Sequence, residues 1–170
     1  DLERPRKAVH EGLAVAGTEF TYAKGQLVLW SAQPGLFGDG EQFLKNGDFQ
    51  RIAIANPKTA PYGLAAKQAL GHMNLWSVLA PALVRGDSIA QTFQFTVTGN
   101  AQAGLVAKAQ HVSWGDQNGS YWLVPPTYYE PIEQGAVLLK KGENNPAAKA
   151  FLEFLGSDAV RDMVATHGYR

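Results

Sequence analysis

The chain has 170 residues, the size of one domain or of two small lobes. It carries 15 Lys and Arg residues against 15 Asp and Glu residues, so its formal charge is zero and it lacks the basic surface of a general nucleic-acid binder. Hydrophobic residues make up 45% of the composition, which excludes disorder by composition, and no apolar run approaches the roughly 20 residues that span a bilayer. Cysteine is absent, which excludes disulfides, thiolate metal sites and cysteine nucleophiles.

Predicted elements alternate between helix and strand along most of the chain. The patterns predict a helix at 3–13, a buried strand at 26–30, a glycine-rich loop at 31–40, a buried strand at 51–55, helices from 61 and at 74–80, and a strand at 82–84. Asp87 or Ser88 is suited to cap the next helix, and a short buried run follows at 103–107. A turn at 114–120, strands at 121–124 and 132–139, and helices at 145–155 and 157–167 complete the pattern. This alternation predicts an α/β chain with a mostly parallel sheet.

Enzyme signatures are missing from the sequence. It has no dinucleotide fingerprint, phosphate loop, serine-hydrolase elbow or zinc-protease motif. An α/β enzyme that uses a carboxylate such as Asp116 or Glu130 stays open as an alternative. The four tryptophans do not alternate with basic residues, so we expect them to be packing residues. The four histidines are expected at the surface or at helix ends: His10, His72, His111 and His167.

Two strand-to-helix turns are candidates for binding an anion. One contains Tyr62 in the run TAPYG at 59–63, and the other contains Ile89 in GDSI at 86–89. The first N–H groups of a helix lack intrahelical partners and lie at the positive end of the helix dipole. Two such ends that converge can bind an anion without a formal positive charge. Ordinary capped helix starts, which every α/β protein has, remain the competing interpretation.

Several segments in order along the chain resemble the periplasmic molybdate-binding proteins of ABC transporters. The strongest is IANPKTAPYGLAAK at 54–67, which is similar to a strand, proline-rich turn and helix of that family. YAKGQLVLWS at 22–31, GDSIAQTF at 86–93, TGNA at 98–101, AVLLK at 136–140, NPAAKAF at 145–151 and HGY at 167–169 are also similar. The resemblance runs over essentially the whole chain.

This resemblance implies how an oxyanion would be bound. In the family, hydroxyls and backbone amides donate to molybdate or tungstate, and two of those amides correspond to Tyr62 and Ile89. Some relatives add a tyrosine hydroxyl at the position of Ala107, which this chain lacks. Metal would enter only as the oxyanion, no cofactor is implied, and the protein is not expected to be an enzyme.

The resemblance also implies a two-lobed periplasmic binding protein fold of type II. Residues 1–23 and 132–170 would form the remainder of an incomplete first lobe, and residues 24–131 would form the second lobe. The segments 22–27 and 130–134 would cross between the lobes. The lobes would close around the anion, and the membrane subunits of the transporter would recognise the closed form. The family's first third, with its remaining ligand contacts and any signal peptide, would precede the given sequence, and the expected location is the periplasm.

A related two-lobed protein that binds another solute or acts as a sensor is the runner-up. An amino-acid binder would be expected to place an arginine against the ligand carboxylate. Neither candidate turn, 59–63 or 86–89, contains one.

Overall fold

The computed structural model describes residues 1–115 and 118–170. The helices are α1 (Glu3–His10), α2 (Gly40–Asn46), α3 (Pro61–His72), α4 (Trp76–Leu79), α5 (Ile89–Val97), α6 (Lys108–Trp114), α7 (Pro146–Leu155) and α8 (Asp158–Thr166). The strands are β1 (Phe20–Gly25), β2 (Leu27–Ser31), β3 (Ile52–Ala55), β4 (Leu83–Gly86), β5 (Ala103–Ala107), β6 (Ser120–Leu123) and β7 (Ile132–Ala136). The chain divides into two compact units, one made of Asp1–Gly25 with Ile132–Arg170 and the other of Gln26–Pro131.

The Gln26–Pro131 unit is built on a five-stranded sheet with the order β4-β3-β5-β2-β6. Strands β4 and β5 both pair parallel to β3, whereas β2 pairs antiparallel to β5 and to β6. Four of the five strands thus run in the same direction and β2 runs against them, so the sheet is mixed: the pairings of β3 are parallel, as expected, and those of β2 are antiparallel. Parallel pairing requires a crossover to return the chain, and helices provide it only from β3 to β4 and from β4 to β5.

Burial explains why the central strands of this sheet are continuous apolar runs. Every residue of β2, β3 and β5 is buried, as expected for strands that are covered on both faces. The indole of Trp30 in β2 is 1% exposed, and it stacks on the ring of Phe93 in α5 with 5.0 Å between centroids. Helix α5 is therefore held against the sheet by its apolar side.

The Asp1–Gly25 and Ile132–Arg170 unit contains a smaller antiparallel pair. Strand β1 pairs with β7 from Phe20 opposite Ala136 to Gly25 opposite Ile132. Helices α7 and α8 begin at side-chain caps, where Asn145 accepts from Ala147 N–H and Ser157 accepts from Val160 N–H. In the described part of the chain, no helix combines the length and apolar character needed to cross a membrane.

Some predicted elements differ from the structure. Helices α2 and α6 and strand β1 were not predicted, and the helix expected at 74–80 is only the four-residue α4. Asp39 caps α2 by accepting from the N–H groups of Glu41 and Gln42, but the glycine-rich segment before it masks the helix start. Ala107 supplies no side-chain cap to helix α6, and the one start signal is Gln110 at the third helical position, whose side-chain oxygen accepts from Ala107 N–H.

Candidate functional site

Three helix starts lie at one edge of the five-stranded sheet. Strands β3, β4 and β5 run parallel, so their carboxyl ends share an edge, and α3, α5 and α6 begin beyond those ends. Ala55 and Gly86, the last residues of β3 and β4, are register partners. Just beyond them, Asn56 N–H donates to the carbonyl oxygen of Gly86 at 2.8 Å. The turns that lead to Tyr62 and Ile89 are thus in direct contact, at the edge where open α/β sheets usually bind ligands.

The turn before α3 is organised by Asn56. Its side-chain oxygen accepts from Lys58 N–H at 3.0 Å, and its carbonyl oxygen accepts from the N–H groups of Thr59 and Ala60. No side chain caps α3 at Ala60, and Pro61 is the first helical residue. Because proline has no N–H, the first amide N–H of this helix belongs to Tyr62, whose residue is buried.

Gly63 allows α3 to begin directly against the end of β3. A Cβ at this position would collide with the carbonyl oxygen of Ala55 and with the backbone of Asn56. Any other residue would push the helix start away from the sheet edge. Gly63 therefore sets where the Tyr62 amide lies.

Helix α5 begins with a reciprocal side-chain cap. The Ser88 hydroxyl oxygen accepts from Gln91 N–H at 3.2 Å, and the Gln91 side-chain oxygen accepts from Asp87 N–H at 2.6 Å. Ile89 is the first helical residue. Across the residues that the structure describes, no group accepts from the N–H of Ile89 or of Ala90. These two amides remain available to an acceptor from outside the chain.

Cationic side chains near this edge include those of Lys58, Arg85 and Lys108. The Lys108 ammonium donates to the Gln26 side chain at 3.2 Å, and the Arg85 guanidinium lies 5.9 Å from the centroid of the Trp76 ring. Arg85 in β4 and Lys108 at the start of α6 therefore have local partners, whereas Lys58 in the turn before α3 is exposed. Helix dipoles and amide N–H groups add an attraction for an anion that requires no formal positive charge.

The remaining candidate residues from the sequence lie outside the two helix-start turns. His111 lies in the last turn of α6, so its expected place near a helix end is confirmed, but it is not at the surface: it is 7% exposed and packs against Trp30 of β2 and Tyr121 of β6. Glu130 is exposed, and its N–H donates to the Gln68 side chain at 3.1 Å. Asp116 lies outside the described residues. Within the described ranges, no group of His, Asp and Glu side chains could hold a metal ion.

The family model for bacterial extracellular solute-binding proteins matches residues 1–170. The chain belongs to this family. It is 47% identical over 169 residues to the molybdate-binding protein ModA of Rhodobacter capsulatus, with 99% of the chain and 66% of the relative covered. It is 48% identical over 170 residues to ModA of Azotobacter vinelandii, with 99% of the chain and 68% of the relative covered.

The solved periplasmic molybdate-binding protein of Azotobacter vinelandii has the same fold. The two structures superpose with a TM-score of 0.90 at 38% identity, over 100% of this chain and 75% of the other. The chain thus spans about two thirds of the length of its curated relatives. The resemblance to molybdate-binding proteins and the α/β binding-protein fold predicted from the sequence are confirmed. The enzyme alternative is not favoured, because these relatives are binding proteins.

Sequence reasoning missed three residues that shape the candidate site. Asn56 joins the two turns, Thr92 donates to the backbone of the first turn of α5, and Gln110 donates to the Ile89 carbonyl oxygen. The spacing of Ser88 and Gln91 is a capping signal that places Thr92 in the first turn of the helix. A threonine there can donate to the carbonyl oxygen four residues earlier, so its bond to Ser88 could have been inferred. Gln110 comes from another helix, so no local pattern could have indicated it.

Proposed function

We propose that the chain is part of the solute-binding component of an ABC importer and that it binds molybdate, with tungstate as a second tetrahedral oxyanion to be tested. This proposal rests on the start of α3 and α5 from adjacent parallel strands, in a chain nearly half identical to molybdate-binding proteins. The two compact units would correspond to the predicted lobes, residues 1–23 with 132–170 and residues 24–131. A periplasmic location and membrane subunits as partners follow from the same proposal.

The amides of Tyr62 and Ile89 are the proposed ligand donors. Molybdate carries no proton near neutral pH, so it needs donors only, and hydrogen bonds to a charged group are about twice as strong as neutral ones. Hydrogen phosphate carries a proton that requires an acceptor. A donor-only site disfavours it, because a buried donor facing another donor costs about 1–3 kcal/mol.

Thermal unfolding in the presence of different oxyanions tests this function. The natural full-length protein is melted with molybdate, tungstate, sulfate and phosphate. Ligand at 100 times its dissociation constant adds about 2.7 kcal/mol to the free energy of unfolding, so the melting temperature rises by several degrees. We expect this rise with molybdate at low concentration and no rise with phosphate. Equal responses to all four anions would contradict the proposal.

A sensor or carrier for a different solute is the competing function. An increase in melting temperature with an organic solute and none with molybdate would favour it. The absence of an arginine from both turns continues to disfavour an amino-acid ligand.

A further inference from the structure

The peptide group between Ser88 and Ile89 is held by two donors from one residue. The Ser88 carbonyl oxygen accepts from Thr92 N–H at 3.0 Å and from the Thr92 hydroxyl at 2.9 Å. The Ser88 carbonyl and the Ile89 N–H belong to the same planar group. The Thr92 hydroxyl therefore binds the carbonyl oxygen of the same peptide group whose N–H, that of Ile89, is a proposed donor to the anion.

The Thr92 side chain has little freedom to do anything else. Thr92 is fully buried, and a Cβ added at Gly86 would lie 2.7 Å from its hydroxyl oxygen. Gly86 is therefore needed to leave room for this hydroxyl beside the end of β4. A buried hydroxyl that lost its acceptor would be costly, which keeps it directed at Ser88.

The next peptide group, between Ile89 and Ala90, is held from a different helix. The Gln110 side-chain nitrogen in α6 donates to the Ile89 carbonyl oxygen at 3.0 Å. The Gln110 side-chain oxygen accepts from Ala107 N–H at 3.2 Å, which anchors the amide at the end of β5. Two consecutive peptide groups thus have their carbonyl oxygens bound by side chains and their N–H groups available.

Such bonds prepare an amide to bind an anion in two ways. They fix the plane of the peptide before the anion arrives, which lowers the ordering cost of binding. They also polarise the amide, since hydrogen bonds in a chain strengthen one another by about 10–30% per bond.

We propose that Thr92 and Gln110 are positioning residues that orient and polarise the Ile89 and Ala90 amides for oxyanion binding. This assignment rests on the proposed function. It adds two side chains that would not contact the ligand but would raise the affinity of the protein for it.

Substitution of Thr92 separates hydroxyl donation from packing. Thr92→Val in the full-length protein removes the hydroxyl and keeps the shape, and we expect molybdate affinity measured by calorimetry to fall about twofold to fourfold, because the Thr92 N–H still holds the Ser88 carbonyl and only the polarising hydroxyl bond is lost. Thr92→Ser keeps the hydroxyl and should retain most of the affinity. The amide proton resonance of Ile89 in the ligand-free protein should shift in Thr92→Val and return towards its original position in Thr92→Ser.

Thr96→Val is the matched control. Thr96 is also buried, 1% exposed, and its hydroxyl donates to the Thr92 carbonyl oxygen at 3.2 Å, one turn further along α5. Its substitution should cost stability and leave molybdate affinity unchanged. Equal losses of affinity in Thr92→Val and Thr96→Val would overturn the assignment of Thr92.

Gln110→Met provides a second test should Thr92→Val fold poorly. It removes both hydrogen bonds of a part-buried side chain, and we expect a similar fall of about twofold to fourfold in affinity. Gln42→Met in α2, which removes the bond from Gln42 to Asn46, is its control and should not change affinity. Wild-type affinity in Gln110→Met would refute its role, whereas failure of the unsubstituted protein to bind any oxyanion would overturn the proposed function itself.

Discussion

The hydroxyl of Tyr129 completes the hydrogen bonding at the start of β2. It accepts from the Leu27 N–H at 3.0 Å in a buried environment. Tyr129 itself is 7% exposed, so water cannot easily replace the hydroxyl. One side chain therefore satisfies a backbone donor that lies far from it in sequence.

Replacement of this hydroxyl should be costly. Tyr129→Phe leaves the buried Leu27 N–H without an acceptor, and we expect the free energy of unfolding to fall by about 1–3 kcal/mol in urea denaturation. Tyr128→Phe is the control, because its hydroxyl donates to Glu41 at the surface, and its loss should be smaller. Equal losses in the two variants would contradict a special role for the buried hydroxyl.

Glu41 makes stability depend on pH on the acidic side. The hydrogen bond from Lys45 lowers the pKa of the Glu41 carboxyl below its usual value, and the hydrogen bond from Tyr128 lowers it further. Because the folded pKa lies below the unfolded one, the stabilisation is present above the unfolded pKa. It is lost as the pH falls through the folded pKa.

The variant Glu41→Gln tests this dependence. At neutral pH it should lower the melting temperature by about 2 °C or less, the size of effect expected for an exposed ion pair. The difference from the unsubstituted protein should disappear as the solution is acidified below the usual range of glutamate. Glu143→Gln, at an exposed carboxylate without an ion pair in the described ranges, is the control and should leave the melting temperature at neutral pH unchanged.

At the scale of elements, the start of α5 combines stability with the proposed binding of an anion. Ser88 caps the helix in an extended conformation, with φ −139° and ψ 164°. That conformation is compatible with a proline at the next position, and the first helical position tolerates proline well. Ile89→Pro can therefore remove one N–H with little disturbance to the helix.

We expect Ile89→Pro to weaken molybdate binding by about 1.5–3 kcal/mol, the contribution of a hydrogen bond to a charged group, as measured by calorimetry on the full-length protein. Ile89→Ala keeps the amide and controls for the lost side chain. Asp158→Pro places a proline at the first position of α8 and should leave affinity unchanged. Unchanged affinity in Ile89→Pro would refute the assignment of this amide.

At the scale of the whole molecule, each compact unit has its own hydrogen-bonded framework. In the unit that contains both chain ends, Lys24 in β1 exchanges two backbone hydrogen bonds with Arg170, at 2.6 and 2.8 Å. β7 lies on the other side of β1. We therefore expect a substitution at Arg170 to weaken the hydrogen bonding of the β1–β7 sheet.

The substitution Arg170→Pro removes the Arg170 N–H that donates to the Lys24 carbonyl oxygen. We expect the Lys24 amide to exchange with deuterium faster, by about fivefold to tenfold for the loss of one hydrogen bond. The Tyr22 amide, on the same strand, serves as the internal reference. Arg170→Ala keeps both backbone bonds and should exchange like the unsubstituted protein; unchanged exchange of Lys24 in Arg170→Pro would contradict a stabilising role for the Arg170 N–H.

Much of the fold could be predicted because its signals are local. The pairs Asn145-Pro146 and Ser157-Asp158 each place a capping residue directly before the first helical residue, which is a local helix-start signal. The buried strand β5 is indicated by its consecutive small and apolar residues alone. The helix starts at Tyr62 and Ile89 were found in the same way. That these turns bind an anion stays a prediction.

Other features depend on residues that are distant in sequence. The tertiary structure decided three such features: β2 pairs antiparallel with β5, His111 is buried against Trp30, and the Gln110 side chain donates to the Ile89 carbonyl oxygen. The physical reason is that apolar patterns and capping groups act over one or two turns of chain. Strand order and side-chain hydrogen bonds between elements depend on which surfaces meet when the core forms. The sequence by itself determined where helices and strands begin and which family the chain resembles; the folded chain decided which of those starts lie side by side.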